Sequence, residues 1–206
     1  MPTGLGWLGV AAAYLLGSTP HAYIAGRVLK GIDLRHHGSG NLGATNVYRV
    51  LGAPAAVAVL LADAAKGAIP TLFFTGWFGG SAYPWWPAAL GVAAIVGHVR
   101  PYGGFFRGGG KGVATASGVF AALSPGAYLI AVLVFVATVA ATRFVSLGSM
   151  LAGVALAASA FFLHGPRSYL TTLSALLALF VLYTHRTNIG RLRRGVESRL
   201  GRPGGR

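Results

Sequence analysis

The stretch VATASGVFAALSPGAYLIAVLVFVATVAA, residues 113–141, decides how the chain is read. A membrane-spanning helix needs about 20 mostly apolar residues. This tract is too long for one span, and Ser124-Pro125-Gly126 interrupts it. A proline and a glycine together end one helix and let another begin, so the tract reads as two helices meeting at a turn. Segment 113–123 is short for a crossing and reads as tilted, partial or extended at its ends.

Working outward, further apolar tracts cover residues 4–26, 54–78, 85–99, 147–163 and 169–183. With the turn at Pro125 the spans number about seven, and the charges then sort by face. Arg27, Lys30, Arg35, Arg49, Arg100, Arg107, Lys111 and Arg143 fall on one side with the tail arginines Arg186, Arg191, Arg193, Arg194, Arg199, Arg202 and Arg206. The opposite side keeps Arg167. Six spans would scatter these cations over both faces. Positive loops stay cytoplasmic. The expectation is an all-α, polytopic membrane protein of about seven transmembrane helices, with the N-terminus outside and the C-terminus cytoplasmic.

Composition agrees. Hydrophobic residues make up 54% of the chain and charged ones 10%, against about 25% charged in a soluble domain; the mean hydropathy is +0.64. Seventeen Lys and Arg face three acids, Asp33, Asp63 and Glu197, for a net charge of +14. A nucleic-acid partner is set aside because a free basic domain would not be this apolar. Basic loops facing anionic lipid or a phosphorylated substrate fit better. With no cysteine, disulfides, thiolate metal sites and cysteine nucleophiles are excluded. The N-terminus lacks a basic region ahead of its apolar run and reads as a first span, not a removed signal peptide. The uncharged aromatic connector 77–86 reads as an interface anchor. No internal repeat supports an inverted-repeat transporter.

Two connectors carry chemistry. The first is Gly38-Ser-Gly-Asn-Leu-Gly-Ala-Thr-Asn-Val-Tyr-Arg49. It formally matches a dinucleotide fingerprint, with Asp63 downstream, but it lacks the preceding strand and the βαβ unit, and Asp63 lies in an apolar span. Its glycines let backbone N–H groups converge on an anion; a plain flexible loop is the alternative. The second is Gly108-Gly-Gly-Lys-Gly-Val-Ala-Thr115. It fails as a nucleotide-binding Walker loop: Phe105 stands where the first glycine belongs, and Gly112 follows the lysine in place of Ser or Thr. A phosphate held by glycine amides, Lys111 and Thr115 at a helix N-terminus remains, against a lysine that merely snorkels to the interface.

Among the histidines, His185 gains weight from neighbouring Arg186 and Asn188, and His98 sits at a cytoplasmic helix end; either suits a base or a phosphate donor. His36 and His37 flank the glycine loop as solvated polar residues, and His21 and His164 have no supporting neighbours in sequence. No histidine pair has metal-ligand spacing with an acid, so no metal is expected. Asp63 and Lys66, three apart on one helix, are placed to pair, either bracing the helix or tuning a site. Ser146 reads as a helix cap or a substrate contact. The basic tail from Arg191 reads as an anchor on anionic lipid.

Together these motifs resemble the bacterial integral-membrane acyl-phosphate:glycerol-3-phosphate acyltransferases. The resemblance is carried by residues 38–49, by Gly97-His98, Pro101 and residues 109–115, by Ser146-Leu-Gly148, by His185-Arg-Thr-Asn-Ile-Gly-Arg-Leu192 with Glu197, and by Asp63-Ala-Ala-Lys-Gly67 with Pro70. It runs through nearly the whole chain, and Leu42 stands where the family often has proline. It implies one acyltransferase domain over residues 1–206 in the bacterial cytoplasmic (inner) membrane, acting without cofactor or metal on fatty acyl phosphate and glycerol 3-phosphate. The products implied are lysophosphatidate and phosphate, and no nucleic acid is involved. The HxxxxD motif of other acyltransferases is absent here, as it is in the family. By the same resemblance Lys111, His185, Ser39 and Arg49 are the catalytic candidates. Ser39, Arg49, Lys111, His185 and Asn188 would hold glycerol 3-phosphate. Asn41, Thr45, Asn46, Gly109 and Gly110 would cradle the acyl phosphate, with Ser146 as a further substrate contact. The competing reading is an anion or phosphate transporter.

Overall fold

The computed structural model describes residues 4–80, 82–102 and 109–201. Arg107, Gly108, Arg202 and Arg206, singled out above, and Phe105 and Ser81 lie outside them. Every regular element among the described residues is helical. The chain forms two compact units, Met1–Leu123 and Ser124–Arg206.

In the first unit, α1 (Gly4–Gly17) and α2 (His21–Lys30) replace the single span expected over residues 4–26. Pro20 is the reason. It has no N–H to continue the ladder and steers Thr19 away from helical geometry, so Ser18 N–H closes on the Tyr14 and Leu15 carbonyls and the helix stops. A short 3₁₀ turn (Leu34–His36) and α3 (Ala44–Leu51) follow. Next, α4 (Ala53–Ile69) runs through a π-helical turn at Pro70–Phe74 into α5 (Thr75–Phe78). Here proline widens a helix without ending it: the Thr71 hydroxyl donates to the Gly67 carbonyl at 2.8 Å, offsetting a lost ladder bond. α6 (Trp86–Val99) and α7 (Val113–Leu123) complete the unit.

The helix pairs α1·α6 and α4·α7 pack backbone against backbone. A Cβ on Gly67 would land on the Thr115 carbonyl, and one on Gly118 on the Ala64 carbonyl; Gly17 meets Ala94 and Gly97 meets Tyr14 in the same way. Small residues permit this approach where lipid offers no hydrophobic drive between helices. A separate apolar cluster of Ala22, Leu34, Leu42, Val47, Ala56 and Val59 lies beneath the glycine-rich connector.

In the second unit the break at Ser124 falls where the sequence placed it, and α8 (Pro125–Thr142) starts on the proline. α9 (Val145–His164) packs against both α8 and α10 (Tyr169–Thr184). α11 (Arg186–Arg193) follows His185. Three helices among the described residues are long and apolar enough to cross a membrane: Ala53–Phe78, Pro125–Thr142 and Val145–His164. α6, α7 and α10 are shorter and apolar.

The packing makes a prediction. Gly118→Val forces a branched side chain into the Ala64 backbone and should cost about 1–3 kcal/mol, seen as a clear fall in Tm in detergent. Gly126→Ala, whose methyl meets only the Leu163 side chain at 3.4 Å, should leave Tm unchanged.

Candidate active site

The first glycine-rich connector is a built loop. Gly38 and Gly40 take φ of +61° and +72°, the left-handed region that a side chain resists. Asn46 locks the loop from inside. Its Oδ1 accepts from Ser39 N–H at 2.8 Å, and its Nδ2 donates to the Leu34 and His37 carbonyls at 3.3 and 3.0 Å. The Asn46 amide, expected to cradle substrate, is thus engaged within the loop and only 1% exposed. Ser39 and Arg49 are exposed, and Asn41 and Thr45 half-buried. At the loop's entrance the Arg35 guanidinium grips Asp33, with Nη2 to Oδ2 at 2.6 Å. That hydrogen bond holds the Asp33 carboxyl far below the usual carboxylate range.

The second connector leads directly into α7. Gly112 has φ +81° and its carbonyl accepts from Ala116 N–H at 2.8 Å. Lys111 is half-buried beside it, and Gly110 is buried. Gly109 and Gly110 line a cleft with Ser18, Thr19, His21, Leu42, Asp63, Lys66 and His98. Its floor is a charge cluster. Asp63 Oδ1 lies 3.0 Å from both Lys66 Nζ and His21 Nδ1, and 3.9 Å from His98 Nδ1. Lys66 also donates to the Thr19 carbonyl at 2.7 Å. The expected Asp63–Lys66 pair is present. His21, for which the sequence offered no neighbour, is its third member, because the Pro20 break delivers the first residue of α2 to α4. His164 likewise has a partner, Ser124 Oγ at 2.7 Å.

In the second unit Glu197, quoted from the sequence with the C-terminal motif but given no role there, is a hub. Its Oε1 accepts from Ser146 Oγ at 2.7 Å and from Asn188 Nδ2 at 2.6 Å, and its Oε2 from Arg191 Nε at 2.7 Å. Ser146, read as a cap or a substrate contact, is not a cap: Phe144 occupies that position without a side-chain bond. The signal for Glu197 was its rarity, one of three acids among many cations. His185 is buried at the α10–α11 junction with Nδ1 2.8 Å from the Val181 carbonyl. A carbonyl only accepts, so Nδ1 carries a proton. No group of three or more histidine or acidic residues suited to a metal occurs among the described residues.

With only helices as regular elements among the described residues and three of them of membrane length, the fold is that of an integral membrane protein, and a lysine-bearing glycine loop opens the shorter helix α7. The comparisons make that class specific. The family model described as glycerol-3-phosphate acyltransferase matches residues 7–195. A glycerol-3-phosphate acyltransferase of Halalkalibacterium halodurans is 44% identical over 96% of this chain and 97% of its own. One from Shouchella clausii is 46% identical over 94% and 95%. The crystal structure of PlsY (YgiH), an integral membrane glycerol 3-phosphate acyltransferase, in its glycerol 3-phosphate form superposes with a TM-score of 0.86 at 39% identity, over 96% of each chain. Its lysophosphatidic acid form gives 0.84 at 38%. The chain belongs to the glycerol-3-phosphate acyltransferase family.

The Glu197 hub yields a pH prediction. Partial burial opposes the charged form, but the bonds from Arg191, Ser146 and Asn188 outweigh it and set the carboxyl below its ordinary 4.5. A lowered native value means stability present above pH 4.5 and lost as pH falls through the native value. Glu197→Gln should therefore lower Tm at pH 7 by several degrees, about 1–3 kcal/mol. The gap from the unsubstituted protein should close on acidification below pH 4, followed by circular dichroism melts.

Proposed function

We propose that the chain moves a fatty acyl group from acyl phosphate to the 1-hydroxyl of glycerol 3-phosphate, the step that gives lysophosphatidate and phosphate and opens phospholipid synthesis. The observation that carries this is family membership along nearly the full length, joined to a lysine-bearing glycine loop that runs into the N-terminus of α7. The solved relatives in glycerol 3-phosphate and lysophosphatidic acid forms match the acceptor and the product of that step. The same membership supports an acyltransferase over the anion transporter. We read residues 1–206 as one acyltransferase domain.

Each phosphate carries about −1.5 to −2 charges at neutral pH, so bringing donor and acceptor together requires fixed cations. Lys111, Arg49 and Ser39 are assigned to the glycerol 3-phosphate, as are His185 and Asn188 by the resemblance of their motif. The amides of Gly109 and Gly110 are assigned to the acyl phosphate with Asn41 and Thr45. Asn46 acts on this ligand through the loop it locks, and Ser146 and Asn188 act with Glu197 bound to them. The acceptor hydroxyl attacks the acyl carbon, the ester C–O bond forms, and the C–O bond to phosphate breaks. The hydroxyl proton passes to the departing phosphate, and positioning with charge neutralisation supplies most of the rate. A second reading, His185 as general base, is favoured by the Val181 carbonyl bond, which engages Nδ1 and so orients the ring.

With purified protein, palmitoyl phosphate and glycerol 3-phosphate, and no ATP, CoA or metal, phosphate release should match lysophosphatidate formation. Lys111→Ala should lose about 100-fold or more in kcat/KM. His185→Gln should chiefly raise KM for glycerol 3-phosphate; a near-complete loss of kcat, with a histidine-like limb in the pH–rate profile, would make His185 the base. Phosphate crossing proteoliposomes without acyl transfer would sink the enzyme reading.

We further propose about seven spans in the bacterial inner membrane, N-terminus outside and tail cytoplasmic, supported by the one-sided placement of the cations. The chain has no cysteine, so single-cysteine labelling needs no prior engineering. In intact cells an impermeant maleimide should label Arg167→Cys and spare Arg194→Cys; the reverse pattern would overturn the orientation.

A further inference from the structure

Gly109 and Gly110 are glycines for an unexpected reason. Gly110 is not among the glycines of positive φ, unlike Gly112 at +81°, so its φ does not by itself demand a glycine. What forbids a side chain is His98. A Cβ on Gly110 would land on Nε2 of the His98 ring, and a Cβ on Gly109 on the carbonyl oxygens of His98 and Val99. The loop ahead of Lys111 is laid directly on the end of α6, its second glycine against the imidazole edge.

Behind that ring lies a buried carboxylate. The ring is itself buried, its Nδ1 faces Asp63 Oδ1 at 3.9 Å, and Asp63 is fixed by Lys66 and His21 at 3.0 Å each. Lys66 in turn bonds the Thr19 carbonyl exposed by the α1–α2 break. Residues of α2, α4 and the α1–α2 break therefore converge on the carboxylate behind one imidazole, whose opposite edge meets the loop. His98 Nε2 makes no hydrogen bond to any described residue, so the ring meets Gly110 by contact.

We infer that His98, braced by Asp63, Lys66 and His21, is a positioning residue that sets the height of Gly109–Gly110 and so the place at which Lys111 is presented. The inference rests on the reading of Lys111 as the cation that grips substrate phosphate. Asp63 and Lys66 then act through His98, without touching the reacting atoms.

The test is a double-mutant cycle, because residues in contact fail to add where independent ones do not. KM for glycerol 3-phosphate, kcat and Tm are measured for the unsubstituted protein, Gly110→Ala, His98→Ala and the double variant. Gly110→Ala alone should raise KM about tenfold with little change in Tm, since its methyl lifts the loop off the ring; in the His98→Ala background the same methyl enters the vacated space and should change KM by less than about twofold. The same fold-change in both backgrounds overturns the inference. If His98→Ala does not fold, His98→Asn, which also vacates the Nε2 position, replaces it with the same expectation. Lys111→Ala separates this from the underlying reading. Full activity there removes the phosphate-loop assignment, whereas an inactive Lys111→Ala with an additive cycle overturns the positioning role alone.

Discussion

A carboxylate withdrawn from water must be met by donors on every open side, because its desolvation far exceeds what one weak contact returns. Asp63, 2% exposed on an apolar helix, is under that constraint. Lys66 alone would satisfy part of it; His21 completes it, which requires a helix terminus at that point. The break at Pro20 supplies the terminus and frees the Thr19 carbonyl for the second bond of Lys66. The helix break, the buried ion pair and the seat of the second glycine loop are one arrangement, and moving any part disturbs the others.

The same economy governs the other two acids. Asp33 ties Arg35 and approaches Arg27 at 3.8 Å, and both guanidiniums lie over the Tyr23 ring. Glu197 binds Arg191, Ser146 and Asn188, while Leu200 N–H reaches the Arg143 carbonyl at 2.7 Å. In that way the stretch after α11 is strapped to the α8–α9 turn. Each acid anchors a segment that lacks regular helix geometry. Fourteen net positive charges remain beyond these pairs, matched to lipid headgroups and anionic substrates.

What the sequence revealed followed local rules. Pro125 broke its tract because it turns Ser124 out of helical geometry and itself suits the first position of the next helix, and Asp63 and Lys66 paired because three residues of helix bring side chains together. What it hid depended on contacts distant in the chain. Pro20 and Pro70 look alike in apolar surroundings, yet one ends a helix and the other widens it, and only the Thr71 hydroxyl and the neighbouring helices distinguish them. His21 meets Asp63 across 42 residues, and Ser146 meets Glu197 across 51. Asn46 carried the right chemistry for a ligand, but its donors and acceptor match the loop's own backbone. Gly109 and Gly110 read as amide donors to a phosphate, and the fold also sets them in close contact with His98.

These pairings bear on the proton in the proposed reaction. A general base must be able to accept a proton near neutral pH. Asp33 and Glu197 are held below their ordinary range by the cations and donors around them, and Asp63 is enclosed by Lys66 and His21. All three are buried, at 9%, 8% and 2% exposure, and protonating any of them would dismantle the joint it secures. With all three acidic side chains committed, a proton leaving the acceptor hydroxyl in the proposed reaction has two destinations, an imidazole or the phosphate of the substrate. His185 has its Nδ1 engaged by the Val181 carbonyl. The departing phosphate gains basicity as its bond to carbon breaks, so its capacity to take the proton grows when the reaction needs it. An enzyme that spends its few acids on architecture thereby leaves the base, in the proposed reaction, to an imidazole or to its substrate.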